Sequence, residues 1–203
     1  MSRKIVILAI FSIILLSWFF WPKADPLYPT TGSTVVVFGD SLAAGIGAGS
    51  GSDIASLLSQ SLPQEVINLG VPGDTTADGL ARIDEVLEVD PRVVIVLLGG
   101  NDALQQVPVE KTFANLALIV ESIQASGAAV VLVGEPGGLY GNRYEKEYER
   151  IVEEYRTFYV SNILSGLIGR SEYMSDYIHP NSTGYARATE RILPVVEKAL
   201  EGE

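Results

Sequence analysis

The chain has 203 residues, of which 47% are apolar, and this is enough for one globular domain with a substantial core. It contains no cysteine and a single histidine, His179, which excludes a disulfide framework, a thiolate metal site, a cysteine nucleophile and a His-rich metal centre. The formal charge is −11, and nothing in so acidic a chain offers an electrostatic footprint for nucleic acid.

At the amino terminus Ser2-Arg3-Lys4 precedes an uncharged run from Ile5 to Trp21. As a helix those residues measure roughly 25 Å, close to the ~30 Å hydrocarbon core of a bilayer. Trp18 and Trp21 stand at the outer end, where indole favours the membrane interface, and Pro22 ends the run. A cleaved signal peptide and an uncleaved signal anchor are the two readings. The bulky Trp18-Phe19-Phe20-Trp21 where small residues should precede a cleavage site favours the anchor. Arg3 and Lys4 then leave the amino terminus in the cytoplasm and the rest of the chain outside it, in a periplasmic or extracellular space, or secreted if the helix is cleaved. Residues 1–24 are thus assigned to the anchor, 25–34 to a linker and 35–203 to one domain.

From Val35 onwards short β-branched runs alternate with longer amphipathic segments. Val35–Phe38, Val66–Leu69, Val93–Leu98 and Ala129–Val133 read as strands, with a weaker fifth near Phe158–Ile163. Their continuous apolar character is that of parallel strands covered on both faces. Between them, Phe113, Leu116, Ala117, Val120 and Ile123 share one helical face, and the charged segment Arg143–Tyr155 reads as a solvent-facing helix. Asn181 or Ser182 caps a last helix towards Leu200, which Pro194 is expected to bend. The fold class is α/β: three α/β/α layers on a mainly parallel five-stranded sheet, with the N-terminal transmembrane helix in addition.

In open parallel sheets, sites form beyond the carboxyl ends of the strands. The residues there are Gly39-Asp40-Ser41, Gly70-Val71-Pro72-Gly73, Gly99-Gly100-Asn101-Asp102 and Gly134-Glu135-Pro136. Ser41, between a strand and a glycine-rich turn, is either a turn former or a hydroxyl presented at a mouth. Neither G-x-G-x-x-G nor G-x-S-x-G is satisfied around it. Asp176 precedes His179 by three positions, a spacing that lets a carboxylate hold one ring nitrogen and fix the tautomer; the alternative is a surface histidine beside a helix start. The Asn101 side chain and the amides of Ser41 and Gly70 are candidate donors to an oxyanion, or else ordinary turn groups. Asp40 and Asp102 read as carboxylates that bond the turns in preference to metal ligands.

Four blocks in order resemble the SGNH, or GDSL, hydrolases over about Val35 to Leu200. They are Phe38-Gly39-Asp40-Ser41-Leu42, Gly70 within Asn68-Leu69-Gly70, Gly99-Gly100-Asn101-Asp102, and Asp176 to His179. The resemblance implies a flavodoxin-like fold and a serine ester hydrolase working through an acyl-serine. In it Ser41 is nucleophile, His179 general base and Asp176 its orienter, with Ser41 N–H, Gly70 N–H and Asn101 as oxyanion hole and no metal or organic cofactor. Leu-Gly-Gly-Asn-Asp and His-Pro-Asn look like the bacterial thioesterase, lysophospholipase and arylesterase branch. That branch often has T-A-G-Y where this chain has Ala43-Ala44-Gly45-Ile46.

The expected partner is a small or lipid-like ester, with the membrane engaged through the N-terminal helix, no nucleic acid and a monomeric state. The glycine-rich stretch Gly134–Gly141, with Leu139 and Tyr140, is either a wall for an acyl chain or a plain surface loop. Two other function classes stay open: an envelope carbohydrate or peptidoglycan O-acetyl esterase, and a non-catalytic binding module on the same fold.

Overall fold

The computed structural model describes residues 31–137 and 141–202. The expected anchor at 1–24 and the linker up to residue 30 lie outside the described residues, as do Leu139 and Tyr140. Among the described residues no helix is long and apolar enough to cross a membrane.

The strands are β1 (Thr34–Gly39), β2 (Glu65–Gly70), β3 (Pro91–Leu97), β4 (Ala129–Val133) and β5 (Phe158–Val160). All pairings are parallel, in the order β2-β1-β3-β4-β5. Side chains alternate across the pleat. Val35, Val37, Val93, Ile95, Val131 and Val133 therefore meet one helical layer, and Val36, Phe38, Val94, Val96, Val130 and Leu132 meet the other. The two edge strands are less covered: β2 leaves Glu65 and Asn68 exposed, and Phe158 and Tyr159 of β5 are half-buried.

On the first face pack the short helix α2 (Ile54–Leu58) and the long α8 (Ser182–Glu201), through Tyr185, Ala188, Ile192, Val196 and Ala199. Asn181 caps α8, its Oδ1 accepting from the N–H groups of Thr183 at 2.9 Å and Gly184 at 3.1 Å. The helix continues as one element past Pro194. On the second face lie α6 (Val109–Ala125) and α7 (Asn142–Tyr155). The solvent-facing reading of α7 needs correction. Tyr144, Tyr148 and Ile151, at spacings of four and three, form a buried stripe. Phe113 meets both rings edge-on, at 5.1 and 5.0 Å between centroids.

Short helices α1 (Ser41–Ala44), α3 (Thr76–Ala81), α4 (Ile83–Leu87) and α5 (Gly100–Leu104) follow the strand ends. Arg82 ties these ends together. Its guanidinium bonds Asp74 Oδ2 at 2.7 Å and the carbonyls of Leu69 and Gly39 at 3.0 Å, and lies over the Phe38 ring.

Candidate active site

The chain leaves β1 and enters α1 at Ser41. Asp40 caps that helix, its Oδ1 accepting from Leu42 N–H at 2.9 Å. The cap holds Ser41 as the first helical residue, half-exposed, with an N–H that no turn of its own helix takes up. Across the sequence, 138 positions away, His179 Nε2 stands 3.0 Å from Ser41 Oγ. The other ring nitrogen, Nδ1, is 2.7 Å from Asp176 Oδ2.

The loop that carries the imidazole is built on the same carboxylate. Asp176 Oδ1 accepts from the N–H groups of Ile178 at 2.8 Å and His179 at 2.7 Å. Behind it the His179 carbonyl accepts from the Ser175 N–H, and Met174 bridges Pro180. Asp176 is held down to about 2, first by its bond to the imidazole and then by the two backbone amides. It stays ionised at any working pH and holds a proton on Nδ1, leaving Nε2 free to accept one from the hydroxyl.

The expected oxyanion donors are placed unequally. Asn101 lines the cleft, but its Nδ2 already donates to Asp40 Oδ2 at 3.0 Å and to Asp74 O at 2.9 Å. Gly70 N–H donates to Asn68 Oδ1 at 2.9 Å. Gly70 itself is required sterically, because a Cβ there would overlap the backbone at Ala43 and Ala44 in α1. Asn68 also donates to the Ala43 carbonyl at 3.0 Å, so it braces the helix that bears the serine. Asp102 is buried and accepts from Thr76 N–H at 2.8 Å and Thr76 Oγ1 at 2.6 Å. Among the described residues no cluster of three or more potential ligands is arranged to hold a metal.

A cleft of about 190 Å³ opens from Ser41 and His179 towards the ends of β4 and β5. Leu42, Leu104, Pro136, Leu164, Ile168 and Ile178 form its apolar walls. Leu104, Ile168 and Ile178 are also exposed, so the rim is greasy as well as the wall. Sequence reasoning missed these walls and the buried Glu135 among them. Leu164 and Ile168 lie beyond β5 in a segment with no clear period, and Glu135 was visible only as a residue after a strand. Chemically, the site pairs a hydroxyl with a base oriented for proton transfer, beside a slot for an apolar group.

Residues 37–187 match the GDSL-like Lipase/Acylhydrolase family. The chain is similar to Esterase TesA of Pseudomonas aeruginosa, at 33% identity over 82% of this chain and 89% of the relative. It is similar also to Thioesterase 1/protease 1/lysophospholipase L1 of Escherichia coli K12, at 30% identity over 73% and 76% of the two chains. Among solved structures, the psychrotrophic esterase EstA from Pseudoalteromonas sp., inhibited by monoethylphosphonate, superposes with a TM-score of 0.74 at 28% identity, over 83% of this chain and 99% of its own. With four motif blocks in order, the hydroxyl and imidazole in contact and this coverage, the chain belongs to the GDSL-like lipase/acylhydrolase family and is a serine ester hydrolase.

Proposed function

We propose that Ser41 is the nucleophile, His179 the general base and Asp176 its orienter, in hydrolysis of medium-chain acyl esters or thioesters through an acyl-serine. The observation that carries this reading is the unbroken relay from Ser41 Oγ to His179 Nε2 at 3.0 Å and from Nδ1 to Asp176 at 2.7 Å. Ser41 Oγ attacks the carbonyl carbon while its proton passes to His179 Nε2. The imidazolium then protonates the leaving oxygen or sulfur. Water, deprotonated by the same nitrogen, attacks the acyl-serine and releases the acid.

The developing oxyanion is met by Ser41 N–H and by Asn101 Nδ2. Asn101 Nδ2 and Gly70 N–H each contribute by sharing bonds they already make, to Asp40 Oδ2 and Asp74 O and to Asn68 Oδ1, so Ser41 N–H is the least committed of the three donors. Asn101→Ala is expected to lower kcat by about 10²–10³-fold, with KM changed far less.

The apolar cleft and rim support acyl chains longer than acetyl, which suits lysophospholipid-like or aryl esters and thioesters. The uncharged run Ile5–Trp21 supports a tether for the catalytic domain at the outer face of a membrane. Salt-resistant sedimentation of the full chain with membranes, and its loss when residues 1–24 are removed, is the check on that part.

The test of the chemistry is hydrolysis of nitrophenyl esters of graded chain length by residues 25–203 and by the Ser41→Ala variant. Rates that rise from acetyl to medium chains and vanish in the variant are expected. Activity surviving the substitution overturns the assignment of Ser41, and an acetyl-only profile replaces the lipid-like substrate by an O-acetylated carbohydrate.

A further inference from the structure

Behind the hydroxyl and imidazole lies a set of carboxyl groups that the acyl transfer does not use. Asp40, Asp102 and Glu135 are 2%, 0% and 3% exposed, at the ends of β1, β3 and β4. Glu135 Oε2 accepts from Gly100 N–H at 2.7 Å, while its Oε1 is buried with no partner among the described residues. Gly100 is the pivot. A Cβ there would collide with Glu135 Oε2 and lie 3.8 Å from Asp40 Oδ2, so both carboxyls rest on the face a side chain would occupy.

Among the described residues no fixed cation neutralises this cluster. Arg82, which ties the same strand ends, is engaged by Asp74, Glu85 and two carbonyls. The remaining titratable groups facing the pair are His179 and Asp74 beside Asp40, Asp102 beside both, and the phenols of Tyr148 and Tyr185. Two carboxylates buried side by side cannot both ionise without large cost.

We propose that Glu135 is a positioning residue of this active site: as a neutral acid it carries the one proton of the Asp40–Glu135 pair, so that Asp40 is the anion gripping the Asn101 amide. The donors decide where the proton rests. Asp40 accepts from Leu42 N–H and Asn101 Nδ2 and faces the imidazole, whereas Glu135 accepts from Gly100 N–H alone. Burial, and after it the charge of Asp40, pushes Glu135 well above its ordinary value. Burial likewise lifts Asp40 from 3.8 to about 7, against the pull of Leu42 N–H and His179.

The geometry has a direct consequence for rate against pH. On the acid side Asp40 takes up a proton and lets go of Asn101. On the alkaline side Glu135 ionises, and two anions repel each other across Gly100. Activity is highest when the pair carries one proton.

The proposal rests on the Ser41–His179 reading and is tested on the full chain with Glu135→Gln and Glu135→Leu. Glutamine keeps an acceptor for Gly100 N–H but cannot titrate. In E135Q the alkaline fall in kcat is expected to disappear while the acid limb, set by Asp40 beside an already neutral partner, stays in place, with KM little changed. Leucine leaves Gly100 N–H unsatisfied, so kcat drops by about tenfold at every pH, and glutamine restores most of it. A pH profile of E135Q that superimposes on that of the wild type overturns the proposal. Should the variants fail to fold, the wild type alone decides. The Asn101 side-chain amide resonance must titrate as Asp40 ionises in the region of 7, and a protonated-carboxyl infrared band must persist above that pH; a silent amide, or a band lost together with the Asp40 step, sinks the idea. Both spectra can be recorded in Ser41→Ala, so this outcome is independent of whether Ser41 is the nucleophile.

Discussion

At the scale of single residues, the site depends on one carboxylate doing two jobs. Asp176 holds the imidazole with one oxygen and shapes its own loop with the other. Asp176→Asn keeps an oxygen for the two amides but offers an N–H, or no usable charge, to Nδ1. The ring is then driven to the tautomer that cannot accept the Ser41 proton, and kcat is expected to fall by about 10²–10⁴-fold in steady-state assays. Asp40 makes the opposite kind of prediction. Its pKa is higher in the folded chain than in the unfolded one, so folding stability contributed by this group declines as pH rises from 3.8 to about 7 and is level above. The stability of Asp40→Asn relative to wild type is therefore expected to increase across that window, whatever constant offset the lost helix cap introduces. Denaturant midpoints at several pH values read it directly. Ser41, Asp176, His179 and Asn101 were legible in the sequence because strand ends and a short spacing make them candidates and the four-block family resemblance groups them. Glu135 was not, because its environment is assembled from three strands.

At the scale of elements, strands were easier to read than short helices. β-branched runs buried on both faces are conspicuous, and β1, β3 and β4 fall where expected within a residue or two. Helices of four to six residues carry too few positions to show a period, so α1 to α5 were not foreseen. In α7 the charged residues masked Tyr144 and Tyr148, whose rings are buried although phenols read as half-polar. Two element contacts have measurable consequences. Asn181 lies two residues beyond His179, so its cap anchors both α8 and the imidazole loop. Asn181→Ala should cost about 1 kcal/mol of stability and lower kcat more than it raises KM. Arg82→Leu leaves Asp74 without its ion partner, and thermal or chemical unfolding should show a loss of about 3–5 kcal/mol.

For the whole molecule, the strand order places the site. The connection from β1 runs to one side and that into β3 lies on the other, so a crevice opens between their carboxyl ends. Ser41 and Asn101 stand on its two lips. The fold class and this placement followed from pattern alone, whereas the cleft walls required the segment after β5 to be positioned in space. The partnership of Ser41 with His179 closes a loop of 138 residues, through the most sequence-distant contact that the site requires. Contacts of such separation cost the most chain entropy and reward it late. After dilution from denaturant, helical circular dichroism should therefore recover ahead of esterase turnover. Regained activity counts only chains whose final docking step is complete, which makes it the stricter gauge of renaturation.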